Sequence, residues 1–198
     1  TKGWLYDQHA VVATVVVEGG HQNTAWQRFM PDGPLAFLPL AAGNNDTCSI
    51  VWSTSPEKAE KLVALSEADF CKALTEASEQ RLGTIVSVEK RGVFPLELKH
   101  AQTYIKEGYV LVGDAAHTVH PLAGQGANLG FADAQSLVET VECALDAGEY
   151  PADRPVLRRY ERERRGANAL MMHALTGLNR LFASHSAVVG QVRRTGIQ

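Results

Sequence analysis

The chain has 198 residues, 45% of them hydrophobic and 21% charged, an ordinary balance for one globular domain or one and a half. With 19 Lys and Arg against 22 Asp and Glu the formal net charge is -3, which excludes nucleic acid as the main partner because no cationic excess remains to neutralise phosphates. No apolar run approaches the ~20 residues of a membrane-spanning helix, and three scattered cysteines, Cys48, Cys71 and Cys143, fit a reducing cytoplasm rather than a disulfide framework.

Taken in chain order, Leu5 to Val17 is β-branched and apolar and predicts a strand of a largely buried sheet. The chain begins without Met and is already strand-like there, so it is expected to be a piece of a longer protein. Thr24 to Phe29 predicts a second strand, Pro31-Asp-Gly-Pro34 a turn, Leu35 to Leu40 a third strand and Thr47 to Thr54 a fourth. The short connections favour antiparallel pairing. Ser55-Pro56 opens a helix, and Ser66 to Asp69 reads as a capping box for a second, with Phe70, Ala73, Leu74 and Ala77 inward and Gly83 closing it. Thr84 to Phe94 predicts a fifth strand that Pro95 ends, and Lys99 to Glu107 a connector.

The most informative stretch runs from Tyr109 to Gly130. Tyr109 to Val112 looks like a short buried strand of a parallel sheet, whose partners are expected before Thr1; it breaks at Gly113-Asp114, and a glycine loop leads into a helix from about Gly126 to Ala147. That helix is expected to bury Leu129, Ala134, Leu137, Val138, Val141 and Leu145. A last helix, from about Val156 to Ser184, carries an apolar stripe of Leu157, Tyr160, Met171, Leu175, Leu178 and Phe182, with Gly166 and Gly177 as candidate bends. Its basic cluster, Arg158 to Arg165, is mixed with acids and reads as a solvated face.

Asp114 follows a strand at its carboxyl end, where open α/β sheets hold ligands; it either accepts hydrogen bonds from a sugar or ribitol hydroxyl or caps a neighbouring turn. The run Gly124-Gln-Gly-Ala-Asn-Leu-Gly130 is spaced one residue too long for a dinucleotide fingerprint. It fits better as a helix N-terminus offered to electron-rich atoms, or as glycine used for close packing. His117 and His120, at i and i+3, lack further metal ligands nearby and read as loop histidines bonded to backbone or as neighbours of a ligand. Trp26, Phe37 and Trp52 lie on strands and are core, unless one sheet face lines a pocket for a flat apolar substrate.

The segment Gly113-Asp-Ala-Ala-His, with Pro121, Gly124, Gly126 and Asn128 at fixed spacing behind it, resembles the flavin motif of FAD-dependent aromatic hydroxylases of the p-hydroxybenzoate hydroxylase type. The fuller run Leu111 to Gly130 resembles the ubiquinone-biosynthesis hydroxylases more closely, as do Tyr6-Asp-Gln-His-Ala10, Ala36-Phe-Leu-Pro-Leu40, Phe94-Pro-Leu96 and Arg159-Tyr-Glu-Arg162. The resemblance implies an α+β to α/β fold. An antiparallel substrate-domain sheet with helices would occupy 1–98, the C-terminal strand–loop–helix part of a Rossmann-like FAD-binding domain 99–150, and a C-terminal helical segment 151–198. It implies FAD as cofactor, NAD(P)H as electron donor, and O2-dependent hydroxylation of an aromatic ring, here a polyprenyl phenol or quinol. Asp114 would bond the ribitol chain, Pro121 would lie against the flavin ring, and the loop of Gly113, Gly124, Gln125, Gly126, Ala127 and Asn128 would complete the cofactor site, the last three giving backbone N–H groups to flavin N1 and O2. Phe37, Pro39 and Trp52 are the substrate candidates; no catalytic side chain and no metal ligand is implied.

Such a protein would be cytoplasmic, with a peripheral approach to the membrane, a biosynthetic complex and a homo-oligomer all compatible with it. Other readings are a hydroxylase of another small aromatic, or a silent fragment acting through assembly. The family's N-terminal G-x-G-x-x-G unit and its middle Asp-Gly motif are absent from this sequence, so this chain alone is expected to hold FAD weakly or not at all and to be inactive.

Overall fold

A computed structural model describes residues 2–41, 45–119, 121 and 124–183, without the side chains of 2, 4–6 and 178–183. The chain divides into two compact units, one combining the segment up to Tyr6 with Glu97–Arg180, the other built on Asp7–Leu96. In the second unit β1 (Lys2–Val17), β2 (Trp26–Met30), β3 (Gly33–Pro39) and β4 (Thr47–Thr54) form an antiparallel sheet in the order β2-β3-β4-β1. β5 (Ile85–Val88) pairs with the end of β1, through Val15↔Val88 and Val16↔Ser87.

Alternation decides which side of this sheet is buried. Val11, Ala13, Val15, Leu35, Phe37, Cys48, Ile50 and Trp52 face α1 (Pro56–Ala64) and α2 (Glu67–Ala77), which contribute Ala59, Leu62, Phe70 and Leu74 to the same core. Ser55 and Ser66 cap the two helices, their hydroxyls accepting from the N–H groups of Lys58 and Asp69. The opposite sheet face is half-buried: Val12, Val51 and Ala36 line up across β1, β4 and β3, and Thr14, Ser49 and the exposed Leu38 form the next row.

Two boundaries differ from expectation. α2 stops at Ala77, six residues before Gly83, because Arg28 of β2 donates to the Ala77 carbonyl and pairs with Glu79; Glu79 and Gln80 then take positive φ. The single strand expected over Thr84 to Phe94 is two, interrupted at Glu89-Lys90-Arg91, and Pro95 lies exposed inside β6 (Gly92–His100) instead of ending it. Proline and the residue before it both favour extended backbone, so a strand accepts them where no ladder N–H is required.

The other unit holds the most informative stretch. Tyr109 to Val112 is no buried strand: only Tyr109–Val110 (β8) is extended in a sheet, paired antiparallel with β7 (Ile105–Lys106), and Tyr109 is 76% exposed. A 3-10 turn (Gly113–Ala115) leads to β9 (His117–Thr118), which pairs with the end of β6. α3 spans Gly126–Asp146 and α4 spans Arg154–Ala183 without a break at Gly166 or Gly177. Around Ala101, Tyr104, Ile105, Ala116, Leu157 and Tyr160 lies a small apolar core.

α3 buries Leu129 as expected, but the rest of its buried column differs. Its buried column is Leu129, Asp133, Ser136, Thr140 and Ala144, whereas Ala134, Val138 and Leu145 are exposed and Leu137 and Val141 half-buried. Phe131, Val138 and Leu145, seven residues apart, leave an outer apolar line. In α4 the buried side is Val156, Leu157, Tyr160, Asn168, Met172 and Leu175, with Met171 only half-buried; Leu178 and Phe182 have side chains outside the described set.

Candidate functional site

The loop between the 3-10 turn and α3 is the candidate site, and its shape starts with glycine. Gly113 has φ +59 and Gly124 φ +60, left-handed values that side chains rarely adopt. A Cβ on either Gly113 or Gly130 would lie 3.5 Å from the other's Cα, so the first turn of α3 sits directly on the Gly113-Asp114 corner. Glycine in the run ending at Gly130 thus serves close packing as well as a helix start. Gly124 closes a tight turn with its N–H on the Pro121 carbonyl at 3.1 Å.

The predicted cofactor residues are gathered here. Asp114 is exposed within the 3-10 turn and makes no hydrogen bond or ion pair among the described residues. Pro121 and Gly124 are exposed, Gln125 and Gly126 half-buried, Ala127 and Asn128 exposed. Gln125 is the N-cap residue of α3 but gives no side-chain cap, and the first turn carries no acid. Among the described residues no side chain caps the N-terminal amides of this 21-residue helix, and they remain donors at its positive end. Of the two histidines, His117 is bonded within the fold and His120 lies outside the described residues.

The substrate candidates stand elsewhere. Phe37 and Trp52 are each 3% exposed, with Trp52 tilted against Phe70 at 6.5 Å between ring centroids. Phe37 also reaches a groove of about 450 Å³ shared with Trp26, whose ring lies under the Arg81 guanidinium. Pro39 ends β3, half-buried.

What sequence reading missed is the group that holds the corner in place. Asp133, fully buried on α3, accepts from the Gly113 N–H at 3.0 Å and from His117 Nε2 at 2.6 Å on one oxygen. Its other oxygen accepts from Arg164 Nε at 2.8 Å and Asn168 Nδ2 at 3.0 Å, both on α4. Burial pushes the Asp133 carboxyl up, but the bonds from Asn168, Arg164, His117 and the Gly113 amide outweigh it and hold it below the usual carboxylate range. Asn168 also reaches the Tyr104 hydroxyl, which lies 2.8 Å from His100 Nε2, and Tyr160 donates to the Leu111 carbonyl at 2.8 Å. Burial raises both tyrosines, so their hydroxyls stay protonated donors. The signal in the sequence was the period itself: Asp133, Ser136 and Thr140 repeat at helical spacing, as do Tyr160, Arg164 and Asn168.

Comparison with known proteins gives the following. The family described as the FAD binding domain matches residues 6–174. The mouse ubiquinone biosynthesis monooxygenase COQ6 is 35% identical over 229 residues, covering 98% of this chain and 48% of that protein. The 3-demethoxyubiquinol 3-hydroxylase of Escherichia coli is 38% identical over 183 residues, covering 92% and 45%. The crystal structure of PqsL, a probable FAD-dependent monooxygenase from Pseudomonas aeruginosa, superposes with a TM-score of 0.73 at 22% identity, over 93% of this chain and 51% of that one. The chain thus spans about half the length of the curated relatives it matches.

Proposed function

This chain belongs to the FAD binding domain family, and on that premise we propose that it supplies the flavin-ring half of an aromatic monooxygenase acting in ubiquinone biosynthesis. The observation that carries the proposal is a helix start beside an exposed carboxylate: Gln125 gives α3 no side-chain cap, and Asp114 has no hydrogen bond or ion pair among the described residues. Bound FAD, with NAD(P)H and O2, would supply the oxygen chemistry that no side chain can. The chain's part is positioning. The amides of Gly126, Ala127 and Asn128 stabilise negative charge at the pyrimidine edge of the ring, and the helix dipole adds to them. Asp114 accepts from the ribitol hydroxyls and Pro121 packs on the ring. Asp133 keeps the corner in register from behind.

In this reading residues 1–98 form the substrate domain, 99–150 the end of the FAD-binding domain and 151–198 the helical segment. The substrate is a polyprenyl phenol or quinol. The sheet face of Val12, Val51, Ala36 and Leu38 suits it better than Phe37 and Trp52, which are spent on packing against α1 and α2. A peripheral approach to the membrane accompanies such a substrate; among the described residues no helix is long and apolar enough to cross one.

The test uses two flavins. Riboflavin carries the ring and ribityl chain without the ADP half, so a site for the ring half alone binds it as well as it binds FAD, weakly in both cases, by fluorescence titration. Asp114→Ala is expected to weaken both roughly ten- to a hundredfold, the worth of a hydrogen bond to a charged group. Sub-micromolar FAD affinity, or FAD bound far more tightly than riboflavin, would overturn the proposal.

A further inference from the structure

α4 carries a second feature, unrelated to the flavin loop. Arg158, Arg162 and Arg165 follow one another at i, i+4 and i+7, so they share a face and span about 10 Å of helix. The mixed charge of this segment predicts pairing, and two of its arginines do pair: Arg159 with Glu149, and Arg164 with Asp133. The three on this face have no hydrogen bond or ion pair among the described residues. Like charges four apart repel, so the column costs the helix stability, a cost offset in part by the Glu161 carboxylate near Arg158 and Arg165.

The same three side chains line an open groove of about 730 Å³ with His100, Glu161, Gly166 and Ala169. Glu161 offsets part of this charge, since its carboxylate lies in the field of Arg165 and Arg158, but it brings one negative charge against three cations. One carboxylate oxygen is already taken by the Thr103 hydroxyl at 2.6 Å and the Tyr104 N–H at 2.7 Å, so the side chain is tied down facing the β6–β7 connection. Gly166 stands mid-helix, where glycine is a poor helix former, and a Cβ added there would meet nothing within 4 Å. No packing demand within the chain therefore explains it; what it does is leave the groove open between Arg162 and Ala169.

We propose that this groove is a binding site for a ligand bearing two or more phosphate groups, held by Arg158, Arg162 and Arg165 with His100 at its wall. Guanidinium forks match phosphate oxygens two bonds at a time, and three of them spaced along 10 Å (roughly the reach estimated above) suit a diphosphate or adjacent phosphate esters better than a single carboxylate. Both a soluble phosphate ester and the headgroups of an anionic bilayer present this chemistry.

Isothermal titration of the full chain with inorganic pyrophosphate is expected to saturate with Kd on the order of 100 µM, weakening steeply with added salt. Arg158→Gln, Arg162→Gln and Arg165→Gln together abolish the binding, whereas Arg159→Gln leaves it unchanged. Gly166→Gln keeps every arginine and improves helix propensity, so it separates binding from folding; filling the groove is expected to weaken pyrophosphate at least roughly tenfold. Flotation with vesicles of phosphatidylcholine and phosphatidylglycerol then identifies the source. Vesicle binding displaced by pyrophosphate points to a headgroup, and pyrophosphate binding without vesicle binding points to a soluble ligand; either supports the site. No saturation by millimolar pyrophosphate, or equal affinity in the triple variant, overturns it.

Discussion

Asp133 is fully buried and receives four donors, and Arg164 is only 12% exposed, so screening by water is slight at this pair. Breaking it leaves a buried cation unmatched. Asp133→Asn, which keeps the shape and removes the charge, is expected to cost about 3 kcal/mol in denaturant unfolding and to loosen the Gly113 corner. The pH dependence has a definite sign. A carboxyl depressed in the fold stabilises it above the unfolded value, about 3.9, and that contribution disappears as pH falls through the folded value. Glu161, where burial is outweighed by bonds from Thr103 and Tyr104 and by the nearby Arg165 and Arg158, acts in the same direction. Thermal melts of the native chain should therefore fall steeply below about pH 4, and those of Asp133→Asn should fall less steeply over the same range. An acid limb identical in the two would show that the carboxylate is unimportant. None of this was legible from Asp133 alone, because an acid in a helix is ordinarily a surface residue. The turn at Gly113-Asp114 ahead of the glycine loop was legible, since glycine punctuation is a matter of local sequence.

Among the elements, the sheet of the second unit was the most legible: β4 has the bounds read from sequence, and β1 to β3 differ only at their ends, because period-2 alternation and turn residues act locally. α3 was found, but of its expected inward face only Leu129 is fully buried. Apolar periodicity points inward only when the core alongside is apolar, and here the neighbour is a polar set made of Gly113, His117, Arg164 and Asn168. Likewise Tyr109 to Val112 reads as buried on composition, but a strand is buried by what lies beside it, which composition does not contain. At the β2–β3 turn the demand is sharper. Gly33 has φ +139, and a Cβ there would lie 2.5 Å from the Ser53 carbonyl oxygen. Gly33→Ala is expected to destabilise the chain by roughly 2–3 kcal/mol in urea unfolding, combining backbone strain with a displaced β4. A loss below about 0.5 kcal/mol would mean that the turn relaxes freely.

For the whole molecule, the outer line of α3 matters most. Phe131, Val138 and Leu145 are 74%, 54% and 59% exposed and run about 21 Å along the helix. Residues seven apart on a straight helix form a seam of the kind that pairs helices. The chain is expected to self-associate, its gel-filtration volume falling as concentration rises, and Phe131→Ser with Val138→Ser to remain monomeric with unchanged thermal stability. Elution independent of concentration in the parent chain would remove this expectation. The cluster around Asp133 has one more consequence, in time rather than in space. Its partners lie 16, 20, 31 and 35 residues away along the chain, two before it and two after. A growing chain that has just completed α3 already owns the glycine loop and the carboxylate, yet lacks Arg164 and Asn168. The corner can settle only once α4 has been made and has closed back over that separation, a slower event than forming either helix. On the proposed reading of this loop, flavin capture is therefore expected to follow the docking of α4 and to come late in the folding of this chain.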